Sequence, residues 1–299
     1  MDKTGQRTIC TLILLLALSA CNLPVAEQNS PQLPTVEATI PQPVTESPTV
    51  LTTQPETPTV FAVKTIPTLP SGALTVVTLG DSLTQGDGDE SGLGGYPARL
   101  QKLIETQRPG TQTINLGKSG WASADLLNGV NGEAAVLPQA LAVKPNIAMV
   151  WIGSNDLWYL YEYGPEPMTA EVEQHDLANY TANIDSILRQ LTDAGAMVFI
   201  ALLDDQSKRP VVASPPNPAE PAFSATTPND LARMSTHVKA MNKIIQKKAT
   251  EYGAVTVDFF HTDIFTNLAT LYSDGNHPNT AGYEKVTQIW FAALEPYLK

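Results

Sequence analysis

Leu74-Thr75-Val76-Val77-Thr78-Leu79 is an apolar run rich in β-branched residues that stops abruptly at Gly80-Asp81-Ser82-Leu83. A run of this kind reads as a strand buried on both faces, as in a parallel sheet. Three similar runs follow, Thr113 to Leu116, Ile147 to Ile152 and Met197 to Leu203, with a shorter fifth from Ala254 to Phe259. The segments between them carry a helical period. Leu177, Tyr180, Ile184, Ile187, Leu188 and Leu191 share one face; Tyr96, Leu100, Leu103 and Ile104 make a second stripe. Leu231, Met234, Val238, Met241 and Ile245 make a third, and Tyr283, Val286, Trp290 and Leu294 a fourth. Strands alternating with amphipathic helices imply right-handed βαβ units, hence a three-layer α/β/α domain built on a parallel sheet. Two stretches stand outside the alternation: Asp156 to Pro167, crowded with aromatics, and Asp204 to Pro228, rich in Pro and Ala. Each follows a strand directly, so both are predicted as loops walling a pocket at the strand C-terminal ends.

The rest of the 299-residue chain reads differently. Lys3 and Arg7 precede the apolar run Leu12 to Leu18, and Leu18-Ser19-Ala20-Cys21 follows. That pattern resembles a bacterial lipoprotein signal peptide over residues 1–21, with Cys21 as the lipidated residue. The apolar stretch is too short for a permanent membrane helix. An ordinary cleaved signal peptide or an uncleaved anchor would be the plainer readings. From Asn22 to Pro70 the chain is dominated by Pro, Thr, Val, Gln and Glu, which predicts a disordered extended tether. Residues 71–299 are then one folded domain of ordinary size. The only other cysteine, Cys10, lies in the segment to be removed, so no disulfide is expected in the domain. The expected location is the outer face of a bacterial membrane, held by acyl chains on Cys21. A formal net charge of -12 argues against nucleic acid, whose phosphates need a basic surface.

Four short blocks carry chemistry. Gly80-Asp81-Ser82-Leu83 puts a hydroxyl at the end of the first strand. Asn115-Leu116-Gly117-Lys118-Ser119-Gly120 ends the second, and Gly153-Ser154-Asn155-Asp156 the third. Each alone is also a good turn, because Gly, Asn and Asp all favour one. Together, a Gly amide and an Asn side chain are uncharged donors suited to holding a negative oxygen. Ser273-Asp274-Gly275-Asn276-His277-Pro278 brings a carboxylate and an imidazole into one turn, the pairing that activates a serine hydroxyl.

In this order and with these residues the four blocks resemble the SGNH (GDSL-type) hydrolase family, named for its Ser, Gly, Asn and His, across Val76 to about Leu294. The resemblance implies a flavodoxin-like sheet of five parallel strands ordered 2-1-3-4-5. It implies Ser82 as nucleophile and His277 as base, oriented by Asp274. The oxyanion hole would be formed by the amides of Ser82 and Gly120 with the side chain of Asn155, leaving Gly117 to end the second strand. His261 is the one rival to His277, while His175 and His237 are expected on helices at the surface or its boundary. Asp81 and Asp156 are expected to order turns. No metal or cofactor is expected, since no cluster has ligand spacing and no phosphate-cradling Gly-rich loop occurs. The expected reaction is hydrolysis of a carboxylic ester through an acyl-enzyme, on acetylated carbohydrate or on lysophospholipid or short-chain lipid esters. An acyltransferase using the same site and a non-catalytic surface binding module are the alternatives.

Overall fold

A computed structural model describes residues 63–162, 164, 168–213 and 227–299. Five strands, β1 (Thr75–Gly80), β2 (Gln112–Gly117), β3 (Ile147–Trp151), β4 (Met197–Leu202) and β5 (Val255–Asp258), form one sheet. They pair in parallel in the order β2-β1-β3-β4-β5, as the sequence predicts. β1, β3 and β4 are buried almost throughout, whereas β2 and β5 are partly exposed, as their edge positions require.

Nine α-helices are described: α1 (Ser82–Gln85), α2 (Gly95–Gln107), α3 (Ser123–Asn128), α4 (Val136–Ala142), α5 (Ser154–Glu162), α6 (Ala170–Asp193), α7 (Pro210–Ala213), α8 (Pro228–Tyr252) and α9 (Thr280–Leu294). α2 packs against α9 and α6 against α8, one pair on each side of the sheet. The apolar stripes explain this: Tyr96, Leu100 and Ile104 of α2 and Tyr283, Val286, Trp290 and Leu294 of α9 are all buried. Between α9 and the sheet, the rings of Trp151 and Phe259 stack at 4.2 Å, with Trp290 and Phe265 edge-on to Trp151. Local signals set the ends of α8. Thr227 and Asp230 cap it reciprocally, Pro228 opens it, and Gly253 closes it in a left-handed conformation.

Three details differ from the sequence reading. The aromatic stretch after Asn155 is not a loop at its start: residues through Glu162 continue helix α5. It escapes a sequence reading because it is short and opens on the turn-forming Ser154-Asn155-Asp156, although Leu157 and Leu160 are buried and Trp158 and Tyr161 pack on the core. Asp204 to Ala213 likewise folds into a 3-10 turn at Gln206–Lys208 followed by α7. The residues just before Ser71 are docked, since the Lys64 amide donates to the Glu251 carbonyl at 3.2 Å and Arg108 donates to the Pro70 carbonyl at 3.0 Å. The expected signal segment, with Cys21, and the expected tether up to residue 62 lie outside the described residues. Among the described residues no helix is long and apolar enough to cross a membrane.

Candidate active site

Register builds the site. Gly80 at the end of β1 stands level with Gly117 of β2 and Trp151 of β3. The chain segments just beyond these three strand ends therefore converge. Ser82, Gly120 and Asn155 all line one pocket of about 190 Å³, together with Trp158, Arg209 and His277. Larger clefts lie elsewhere, about 390 Å³ between α6 and α8 and about 910 Å³ beside α9, and neither touches Ser82.

Ser82 is the first residue of α1, and Asp81 caps that turn by accepting from the Leu83 amide at 3.0 Å. Asp81 therefore orders the turn, in line with expectation. Its carboxyl is fully buried, and burial pushes it up to about 6, although the Leu83 amide and the charges of Arg209 and His277 draw it down. Asp156 is its counterpart in the third block. It accepts from the backbone amide of Ser123 at 2.9 Å and its hydroxyl at 2.5 Å, and burial again raises it to about 6.

The histidine comes from a tight loop between β5 and α9. One oxygen of Asp274 accepts from the amides of Asn276 at 2.9 Å and His277 at 3.0 Å, folding the loop back on itself. The other oxygen accepts from His277 Nδ1 at 2.6 Å, and Ser82 Oγ donates to His277 Nε2 at 2.9 Å. Burial pushes the Asp274 carboxyl up. The imidazole and the two amides outweigh it, so the group is held below its ordinary value and stays ionised. The result is a continuous carboxylate, imidazole and hydroxyl relay of the kind that transfers a serine proton.

Spacing does not separate His277 from His261, because Asp258 precedes His261 by three residues and pairs with it at 2.7 Å. Position does: the His261 side chain is 76% exposed and lines clefts that exclude Ser82. His175 is on an exposed face of α6, where its ring meets Asn179. His237 corrects the expectation of a surface or boundary residue. It is 4% exposed and pairs with Asp176 at 2.8 Å, because α6 packs over the α8 face that carries it.

On the other side of Ser82, Gly120 has a φ of +79°, a left-handed conformation that a side chain would strain. Its carbonyl accepts from Tyr159 at 2.5 Å, which fixes the turn. Gly117 plays the strand-ending role. A Cβ there would come within 2.5 Å of the Thr84 carbonyl carbon, so the missing side chain lets β2 approach α1. Asn155 donates one amide hydrogen to the Trp121 carbonyl at 2.9 Å. An amide carries two donors, so the second is available to a pocket oxygen. Gly153, before it, has a φ of +135°, and a Cβ would meet Leu203 at 2.7 Å and Tyr180 at 2.8 Å. Among the described residues no group of three or more His, Cys, Asp or Glu side chains is arranged to hold a metal ion.

The residue that sequence reasoning missed is Arg209. It sits in the stretch after β4 that was expected to wall the pocket, but nothing in its neighbours singles it out. In the fold it is 1% exposed and bonded to both oxygens of Asp204 at 2.8 and 2.6 Å, and it lies 4.5 Å over the ring of Phe265. The only sequence hint was Asp204, five residues earlier.

Comparison with known proteins speaks to the fold and the family. The chain is 24% identical over 267 residues to a multidomain esterase of Ruminococcus flavefaciens, covering 80% of this chain and 32% of that protein. It is 25% identical over 246 residues to an acetylxylan esterase of Xylanibacter ruminicola, covering 78% and 45%. The chain thus spans less than half the length of either relative. Among solved structures it resembles an acetylxylan esterase from Geobacillus stearothermophilus, with 21% identity, 75% and 95% of the two chains covered, and a TM-score of 0.51. An α/β hydrolase from the metagenome of Lake Arreo is similar at 19% identity, 76% and 98% coverage and a TM-score of 0.52; at such identities these two likenesses speak for the fold. The sequence profile of the GDSL-like Lipase/Acylhydrolase family matches residues 78–285, a span that begins in β1 and ends in α9, and the chain belongs to that family of ester-cleaving enzymes.

Proposed function

We propose that this chain is a serine esterase that removes small acyl groups, acetyl groups on carbohydrate foremost, through an acyl-enzyme on Ser82. The observation that carries the reading is the relay of Asp274, His277 and Ser82 at 2.6 and 2.9 Å, opening on the same pocket as Gly120 and Asn155. Ser82 Oγ attacks the ester carbonyl carbon while its proton passes to His277 Nε2. The amides of Ser82 and Gly120 and the free N–H of Asn155 take up the charge on the carbonyl oxygen. Breakdown of the tetrahedral species breaks the bond to the leaving alcohol, which receives the proton from His277. Water then repeats the sequence on the acyl-enzyme and releases the acid.

A small acyl group suits the dimensions. A pocket of about 190 Å³ is below the range of roughly 300–1,000 Å³ common for drug-sized ligands. The names of the relatives, a multidomain esterase and an acetylxylan esterase, point the same way. Tyr272, 40% exposed and joined by its amide to the His277 carbonyl at 2.8 Å, offers a face on which a sugar ring could rest. Lipid esters are the second substrate class to assay.

Release of acetate from acetylated xylan and of acid from a chain-length series of esters tests this reading. Ser82→Ala is expected to abolish turnover in a folded protein, and Asn155→Ala to lower it about 100-fold to 1,000-fold, the cost of one oxyanion donor. Wild-type turnover in Ser82→Ala would end the proposal. We further propose that the chain is exported and lipid-anchored at Cys21, supported by the charged start, the apolar run and Leu18-Ser19-Ala20-Cys21. Loss of membrane association in Cys21→Ser, with the domain intact, is the check.

A further inference from the structure

We propose that Arg209 and Asn276 are positioning residues for His277, so that the segment after β4 belongs to the machinery that aims the base. This rests on the reading of His277 as the general base. Asn276 Nδ2 lies 3.4 Å from His277 Nδ1 and 3.3 Å from Nε2. Near-equal separation from both ring nitrogens puts the amide over the imidazole face, because an in-plane position at those distances would overlap Cε1. The amide N–H is thus a face contact, of the weak N–H to π kind, and it leaves Nδ1 to Asp274 and Nε2 to Ser82.

What turns the amide that way round is Arg209. Its Nη1 donates to Asn276 Oδ1 at 2.6 Å, and a guanidinium can only donate, so the oxygen must face Arg209 and the NH₂ must face the ring. Arg209 is itself immobilised by the two bonds to Asp204 and by the Phe265 ring. A second tie, from the Val211 amide to the Gly275 carbonyl at 3.1 Å, joins the same two segments through the backbone. A buried ion pair is a poor way to stabilise a core, since apolar residues of similar volume commonly do as well. Its place here, one side chain removed from the imidazole and lining the same pocket, gives it a different use. The imidazole must receive a proton from Ser82 and deliver it to a leaving oxygen with little rotation. Asp274 holds one edge of the ring, and the amide restrains rocking about that hinge.

The experiment compares wild type with Asn276→Leu, Asn276→Ala, Arg209→Lys, the Arg209→Lys/Asn276→Leu double variant and His277→Ala. Each is checked for folding by circular dichroism. Readouts are kcat and KM on 4-nitrophenyl acetate and the rate at which an organophosphonate labels Ser82. Asn276→Leu keeps the bulk and loses the donor; Asn276→Ala covers the case in which Leu does not fit. The expected result is a fall in kcat of roughly 10- to 100-fold, on the scale of a small misplacement of a reacting group, with KM within about twofold. Labelling of Ser82 slows by a similar factor, and the double variant is no worse than the worse single, because the two residues act as one unit. Folded Asn276 variants with wild-type kcat and labelling rate would overturn the proposal. So would a loss confined to KM. Wild-type turnover in His277→Ala is a separate outcome that would remove the esterase reading itself.

Discussion

Asp81→Asn isolates the cost of burying a carboxylate beside Ser82. One Asp81 oxygen caps α1 through the Leu83 amide at 3.0 Å, and the other is buried with no partner among the described residues. Burial lifts the group from its ordinary 3.8 to about 6. The folded value lies above the unfolded one, so as pH rises the unfolded chain gives up its proton first. The stability that Asp81 contributes is therefore complete below about pH 4 and is lost as pH rises through about 6. At 1.36 kcal/mol per pH unit the difference is about 3 kcal/mol. Asn has the same shape and keeps an oxygen for Leu83, but it does not ionise. Its buried NH₂ costs about 1–3 kcal/mol if unpaired, which moves the whole curve and leaves its slope alone. Urea unfolding of both proteins at several values between about pH 4 and pH 7.5 gives the two slopes. Wild type is expected to lose about 2.4 kcal/mol more than Asp81→Asn across that interval, since a little of the loss has already occurred at pH 4. Parallel curves would refute the reasoning, as would a wild type that gains on the variant as pH rises.

The opposite sign is expected at Asp89. Burial would raise this carboxyl, but bonds from Arg99, Ser91 and the Gly95 amide outweigh it and hold the group well below the ordinary carboxylate range. Its contribution is present above about pH 4 and is lost as pH falls further. Asp89→Asn strands the 8%-exposed Arg99 side chain and is expected to cost about 3–5 kcal/mol at neutral pH, with a smaller penalty below about pH 3; equal stability at neutral pH would contradict this. Gly117→Ala places a Cβ 2.3 Å from the Gln85 nitrogen and 2.5 Å from the Thr84 carbonyl carbon, both backbone atoms that cannot step aside. It is expected to cost about 1–3 kcal/mol by thermal unfolding and to lower turnover by shifting α1; an unchanged Tm would show that the contact yields freely.

Much of this molecule was legible in one dimension. β-branched apolar runs such as Leu74 to Leu79 have no other economical home than a sheet covered on both sides, and the stripes of α2, α6, α8 and α9 needed only their own 3.6-residue period. The blocks beside the strand ends were legible as one site because strand ends in an open parallel sheet face one crevice, whereas the choice of Gly120 over Gly117 rested on the family resemblance. Asp274 and His277 were legible because a single turn presents both.

Tertiary structure decided what depends on distance in space. That His277 rather than His261 meets Ser82 is settled across 195 residues by the lie of the loop before α9, since both histidines have an Asp three positions earlier. Burial of His237 is fixed by α6 packing on α8, although its place three residues after Met234 and four before Met241 already puts it on the apolar stripe of α8. Helix α5 has few turns and opens on residues that equally favour a turn, so its neighbours reveal it as a helix. Arg209 becomes visible only when Asp204, Phe265 and Asn276 surround it. Periodicity records the face one element offers its surroundings, and the register between elements decides which side chain from elsewhere arrives there.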